Sequence, residues 1–364
     1  MTDTSAGYQK IRVGIIGAGW WAQNGHLPVL GFLDQFDVVA VSSRRLAQAE
    51  ELAVTFGIAH AFDEPHQLID HPDVDLVVVS TPPRERPALV KRAIAAGKDV
   101  YAEWPLATTT AAAEELLSLA EERGVRHVVA LQRRFSPTAR YLHDLVSQGY
   151  VGTVRSANMI YSTSIFGRTR PRSIAWTADA SNFMNVLTTH GGQQMDLLFH
   201  LVGPPKKLTA VLENQFPVIT MEETGETIAY ESPDAAVAIG SLGGGGLVNI
   251  TFVGGTPHAS TTQILITGTD GALRLTNPYG NAADFVLDGT RGDETELTRL
   301  ATPPEYQLDP SPSLDASVED LAVLYQAYAR DKDTGTSDAT TFTDAVAMHR
   351  ILDQMEQTSR RFFD

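Results

Sequence analysis

The sequence predicts an α/β protein, with a doubly wound parallel sheet first and a second α/β domain with a sheet of its own after it. Three features carry this reading. Gly17, Gly19 and Ala22 form a G-x-G-x-x-A loop directly after the apolar run Ile11–Ile16. Apolar runs and helix-period segments then alternate as far as Leu131, the order a parallel sheet requires. Beyond that point β-like runs succeed one another through glycine and aspartate turns. The boundary falls after residue 134, giving a first domain of 1–134 and a second of 135–364.

Ile11–Ile16 reads as the first strand, and the glycine loop leads into a helix beginning near Trp20. A loop of this form makes a tight turn, lets the backbone approach a pyrophosphate and packs helix on strand. The helix end points free N–H groups and a positive dipole end at the phosphate. Glycine loops also make ordinary strand-to-helix turns. Here a second strand, Asp37–Ser42, follows at dinucleotide-binding spacing, so Gly17, Gly19, Trp20 and Trp21 become candidate cofactor contacts. Leu46, Ala49, Leu52, Ala53 and Phe56 recur at helical spacing, and Gly57 stands where a C-cap would. Val74–Ser80 is a continuous apolar run, as expected of a strand buried on both faces. Thr81-Pro82-Pro83 stops it, and a helix through Leu89, Val90, Ala93 and Ile94 runs to Gly97. A strand at Asp99–Ala102, a helix ending near Gly124 and a strand at Val125–Leu131 complete the pattern. Ligands of such sheets lie at the carboxyl ends of the strands. That adds Ser43, Arg44, Thr81, Pro82, Glu103 and Trp104 to the cofactor candidates.

The second strand ends in Ser42-Ser43-Arg44-Arg45, where NAD-binding versions carry an acidic residue for the ribose 2′-hydroxyl. A hydroxyl and guanidinium groups suit a 2′-phosphate instead. The expected cofactor is NADP, with NAD as the alternative.

Composition narrows the function. The 28 basic and 44 acidic residues leave a net charge of −16, which argues against broad nucleic-acid or anionic-membrane surfaces. There is no cysteine, so disulfides, thiolate catalysis and cysteine-held metals are excluded. No apolar run approaches the ~20 residues of a membrane-spanning helix, and Met1–Lys10 is polar. A cytoplasmic protein is expected. Asp196 and His200 stand four apart without an evident third ligand, so no metal is assigned.

Gly17-Ala-Gly19, Ser80-Thr81-Pro82-Pro83, Ala96–Pro105 and Arg134-Phe135-Ser136-Pro137 occur in this order. Together they resemble the glucose–fructose oxidoreductase / inositol dehydrogenase (Gfo/Idh/MocA) family. The resemblance implies a Rossmann domain followed by a domain with a large, open, mainly antiparallel sheet, whose exposed face often supports homo-oligomers. It also implies that substrate binds between the domains beside the nicotinamide. In dehydrogenases of the family Glu-Lys-Pro supplies a lysine for the reacting oxygen, and a later helix supplies an Asp and a His. Here the lysine position is Trp104, and anchoring on Asp196 and Gly203 places Thr189 and Gln193 at the Asp and His positions. His190 stands one turn from Gln193. Glu-Trp-Pro with this segment resembles a side branch related to the fungal galactose-pathway repressor, which binds a dinucleotide but regulates. Lys98, in a turn expected to be exposed, is a poor substitute for the lost lysine.

In the second half, Pro137–Gly149 reads as a helix and Thr153–Tyr161 as a strand. Ser162–Asn182 is a long polar insertion with Arg168, Arg170, Arg172 and Trp176, and insertions of that length are often functional. Lys207–Phe216, Ala235–Ser241, Leu247–Phe252, Thr262–Gly268 and Ala272–Thr276 are further strands, with turns at Gly243–Gly246 and Asp270-Gly271. A proline-rich Thr302–Ser313 precedes helices at Leu314–Ala329 and Thr341–Phe362. The expected function is an NADP-dependent oxidoreductase acting on a sugar, cyclitol or similar polar small molecule. Its proton would be handled by His190 with Tyr161, and its substrate contacted by Trp104, Arg168, Trp176 and Gln193. The alternatives are a dinucleotide-binding regulator and a redox-neutral lyase or cyclase.

Overall fold

Every residue of Leu76–Val79 is buried, and the strand lies in the middle of a six-stranded sheet. The computed structural model describes residues 10–277, 285–308, 314 and 318–363. The sheet comprises β1 (Ile11–Ile16), β2 (Phe36–Ser42), β3 (His60–Phe62), β4 (Leu76–Val79), β5 (Asp99–Ala102) and β6 (His127–Val129). Their order is β3-β2-β1-β4-β5-β6, and all neighbours are parallel. The order reverses between β1 and β4, and there the connections leave on opposite faces and open a crevice at the carboxyl ends. The glycine loop sits at that point: Gly17 N–H donates to Ser42 O at 2.9 Å, and Ser80 N–H to Ile16 O at 2.9 Å.

The helix after the loop starts at Trp20, as expected, but winds as a π-helix over Ala22–His26 before the α-helix Leu27–Phe32. Pro28 has no N–H for the Asn24 carbonyl, and Leu27 N–H reaches back to Ala22 O. Helix Leu46–Phe56 ends on Gly57 with φ of 69°. Its buried face is narrower than the periodicity implies, Ala49 and Leu52, because Leu46 and Phe56 at its ends stay exposed. β3 and the short helix Pro65–Ile69 have no counterpart in the sequence reading; neither is long enough to show a period.

Two compact units emerge, Met1–Ala130 with Leu321–Val346, and Leu131–Asp320 with Ala347–Asp364. In the first, the returning chain seals the edge of the parallel sheet. Val129 N–H donates to Thr340 O at 2.9 Å, and Thr340 Oγ1 donates to Val129 O at 2.6 Å.

The second unit is built on an eight-stranded sheet. Its order is Thr298–Arg299, Val286–Arg291, Gly271–Asn277, Thr261–Gly268, β7 (Val154–Ser162), Leu247–Val253, Ala235–Leu242 and Pro205–Glu213. The pairs are antiparallel except β7 with Leu247–Val253. Alternation puts Ala157, Met159 and Tyr161 of β7 on the buried face with Ile250, Phe252, Ile264 and Ile266. Helix Phe342–Phe363 closes the edge strand Pro205–Glu213: Ala210 N–H donates to Thr358 Oγ1 and Leu212 N–H to Ser359 Oγ. The insertion Ser162–Asn182 is more ordered than a polar loop. It contains β8 (Thr169–Arg170), which pairs with Val218–Met221, and helical turns at Arg172–Ala178 and Ala180–Asn182. Thr302–Ser313 and the start of the helix expected from Leu314 lie partly outside the described residues, where the helix is Glu319–Thr334.

Candidate functional site

The two glycines of the loop do different work. Gly17 has φ of 108°, and a Cβ there would stand 2.2 Å from the Ser80 carbonyl oxygen, so the fold itself needs glycine. At Gly19 a Cβ would meet nothing within 4 Å; the space in front of its backbone is open, as close approach of a ligand requires. Trp20 is 72 % exposed beside it and stacks on Trp21 at 6.1 Å. A residue absent from the sequence reading, Gln48, braces the loop. Its Nε2 donates to Ala18 O at 2.8 Å, and its Oε1 accepts from Ser43 Oγ at 3.1 Å and Arg45 Nη2 at 3.0 Å. The Arg44 side chain is 84 % exposed and contacts Glu85 at 3.4 Å.

At the ends of β4 and β5, Arg86 holds the strand-end segments together. It is buried and donates to the carbonyls of Glu103 (2.7 Å), Pro105 and Thr81. Burial pushes its guanidinium down to about 10, against the pull of Glu103. Thr81 and Pro82 remain partly exposed on this brace. Glu103 is already engaged: Trp21 Nε1–H donates to Oε1 at 3.2 Å, and His26 Nε2 lies 3.0 Å from the same oxygen. His26 Nδ1 stands 2.7 Å from the Tyr325 hydroxyl, whose pKa burial raises well above its ordinary value, with the Glu103 charge adding. Tyr325 therefore keeps its proton, and its hydroxyl and Glu103 hold the His26 ring from its two nitrogens. Trp104 is only 4 % exposed. At most a small part of its indole is open to a ligand, less than its strand-end position suggests, because the ring is packed into the core. Lys98 is not a solvated side chain either: its Nζ donates to His71 O at 3.0 Å and Val74 O at 2.7 Å.

In the second unit the structure brings Tyr161 and His190 together. The Tyr161 hydroxyl and His190 Nδ1 are 2.8 Å apart. β7 delivers Tyr161, and the π-helical turn Val186–Gly191 delivers His190. Asn185 caps that turn, accepting from Leu187 N–H and Thr188 N–H, while Thr188 Oγ1 accepts from Asn185 N–H. Phe166, with φ of 66°, meets the imidazole edge-on at 5.6 Å. Burial pushes His190 down to about 4, and the positive Arg133 adds in the same sense. Burial pushes Tyr161 up to about 12, against a Thr163 hydrogen bond and Arg133. Both side chains are thus neutral at neutral pH. Arg133 is anchored on Asp320 at 2.7 Å.

Three other sequence candidates have different partners. Gln193 Nε2 donates to Gln132 Oε1 at 2.9 Å. Asp196 takes both guanidinium arms of Arg134, and His200 stacks on His143 at 4.4 Å. The arginines of the insertion divide by their surroundings. Arg168 and Arg172 are exposed, whereas Arg170 is buried, donating to Gly167 O and Phe166 O over the Tyr230 ring at 4.0 Å. Arg170 therefore holds the insertion and does not reach a substrate. Trp176 is half-exposed on the adjoining turn.

Residues 11–131 match the model described as "Oxidoreductase family, NAD-binding Rossmann fold" (GFO_IDH_MocA), and residues 137–277 match "Gal80p, C-terminal domain". The chain belongs to the Gfo/Idh/MocA family. Within it, the dehydrogenase aclE of Aspergillus oryzae is 28 % identical over 95 % of each chain. The scyllo-inositol 2-dehydrogenase (NADP(+)) IolW of Bacillus subtilis is 29 % identical over 60 % of this chain and 58 % of its own. The crystal structure of the transcriptional regulator Gal80p of Kluyveromyces lactis superposes with a TM-score of 0.84, at 26 % identity, over 97 % of this chain and 90 % of that one. Catalysts and a regulator thus both resemble this member of the family. Among the described residues no helix is long and apolar enough to cross a membrane.

Proposed function

We propose that this Gfo/Idh/MocA protein is an NADP-dependent oxidoreductase of the cytoplasm, acting on a sugar, cyclitol or similar polar alcohol–carbonyl pair. The observation that carries the reading is the 2.8 Å hydrogen bond between Tyr161 and His190, a proton-handling pair in a chain that has Trp104 in place of the family lysine. A bound nicotinamide supplies the hydride acceptor or donor. Gly17, Gly19, Trp20, Ser43 and Arg44 would hold the dinucleotide, and the open space at Gly19 fits its pyrophosphate. Neutral His190, donating Nδ1–H to Tyr161, presents a basic Nε2 that takes the hydroxyl proton as an alcohol is oxidised. In the reverse direction the imidazolium formed there is a strong donor, because burial makes it acidic. Arg168, Trp176 and Gln193 are the side chains proposed to contact substrate. The relative from Bacillus subtilis, an inositol dehydrogenase with NADP(+) in its name, supports the cofactor and the substrate class.

Turnover of a panel of sugars and cyclitols with NADP+ tests this. His190→Ala lowers kcat/KM by about two to four decades and leaves NADP(H) affinity nearly unchanged. A loss below tenfold removes His190 from the mechanism. The likeness to Gal80p and the buried Trp104 favour one second reading, a dinucleotide-binding regulator. Tight NADP(H) binding without turnover of any panel member would select it.

A further inference from the structure

At the amino ends of the first-unit strands, opposite the loops that carry the cofactor candidates, two histidines and a carboxylate converge. His60 opens the edge strand β3, and His71 and Asp73 lie between helix Pro65–Ile69 and β4. One donor atom from each lies within 4.8 Å of the others. The two imidazole rings are 4.3 Å apart at a tilt of 42°, with Phe62 6.0 Å from His71. The surrounding fold holds each residue. Lys98 grips the His71 carbonyl at 3.0 Å and Arg12 Nη1 takes Asp73 Oδ1 at 2.8 Å, while the 3.2 Å contact of Asp73 N–H with His71 Nδ1 has to give way when the imidazole lone pair turns to an ion. That leaves Asp73 Oδ2, 4.0 Å from His71 Nδ1, turned toward the imidazoles.

We propose that His60, His71 and Asp73 bind a divalent transition-metal ion. Two imidazoles and one carboxylate form the mixed nitrogen–oxygen donor set that suits Zn2+, Co2+, Ni2+ or Cu2+, whereas Mg2+ and Ca2+ want oxygen alone. A tetrahedral ion with bonds of about 2.0–2.2 Å needs donors roughly 3.3–3.5 Å apart. Binding therefore draws the three together by up to about 1.5 Å, which rotation of the exposed Asp73 and the two partly exposed histidines supplies. Water completes the shell. The positive Arg12 on the other carboxylate oxygen opposes the ion and keeps the affinity moderate. His60 opens β3 and His71 and Asp73 precede β4, so the ion's effect is to pin the edge strand β3 to the chain entering β4, not to take part in hydride transfer. The site does not depend on the proposed oxidoreductase activity.

Titration of the chelator-treated full-length chain with Co2+, followed by displacement with Zn2+, tests the site. The expected result is one Co2+ per chain, with visible d–d absorption lost on adding Zn2+, and a Tm raised by either ion. His71→Ala and Asp73→Asn should each weaken Co2+ binding by at least the tenfold, or about that, which loss of even a supporting partner costs. His200→Ala, in the stacked pair with His143, should change nothing. The proposal is overturned if the wild type takes up neither ion, if Asp73→Asn binds as wild type does, or if His200→Ala abolishes binding. Asp73 is exposed, so its variant carries the comparison should His71→Ala fail to fold.

Discussion

Burial holds His190 neutral across the pH range in which a free histidine titrates, and that has two consequences. If His190 is the base of the proposed oxidation, its pKa of about 4 should keep kcat/KM level from pH 8 down to about pH 5; a limb near the unperturbed ~6.5 would contradict this. Its folded-state pKa lies below its unfolded one, so the unfolded chain takes the proton first as pH falls. The stability His190 contributes is present above about pH 6.5 and is lost on the way down to about pH 4. Between pH 7 and 4.5 denaturant unfolding should show wild type losing about 2 to 3 kcal/mol more than His190→Ala. A second residue-scale expectation concerns Ser43 and Arg44. A guanidinium–phosphate contact makes NADP bind about one to two decades tighter than NAD, weakening with salt. Ser43→Asp, which also disturbs the Gln48 brace, should reverse the order. Equal NADP and NAD affinities in the wild type, by calorimetry, would end this assignment.

At the scale of the element, the turn from β1 into its helix separates what the fold needs from what a ligand needs. Gly17→Ala drives a Cβ against the Ser80 carbonyl in a left-handed backbone and should cost on the order of 2 to 4 kcal/mol of stability. Gly19→Val points into open space, so Tm should stay within a few degrees while NADP(H) binding is lost to the clash with the pyrophosphate. Thermal melts with and without NADP(H) read both effects. Undiminished ligand stabilisation in Gly19→Val would show that the loop is only a turn. The insertion after β7 teaches a related lesson. Of three alternate arginines, the one in the strand Thr169–Arg170 is buried and the two flanking it are exposed.

Across the whole second unit, the eight-stranded sheet is covered on one face and leaves Ile160, Val237, Ile239 and Leu247 exposed on its strands. All four lie on the same face of the three neighbouring strands β7, Leu247–Val253 and Ala235–Leu242. A homo-oligomer formed through this face is the expected use. Light scattering should give a multiple of the 39.4 kDa chain mass, and Ile239→Asp with Leu247→Asp should reduce it without lowering Tm. A monomeric wild type at micromolar concentration would refute it.

Local pattern alone determined the parallel sheet, the glycine loop, most strand limits within a residue or two, and the helix stops at Gly57 and Gly124. Period and turn chemistry act between near neighbours, so they are legible in the chain. The short β3 and its helix, the π-helical turns and the pairing of β8 were not, because each depends on what packs against it. The sequence also marked Tyr161 and His190 as candidates, but only the tertiary structure set them 2.8 Å apart. It likewise gave Glu103 to Trp21 and His26, closed Trp104 into the core, made Gln48 and Arg86 braces, and gathered His60, His71 and Asp73. The reason is common to all of these. A side chain's charge state and partners follow from burial and from contacts between distant stretches of chain, and no local period encodes either.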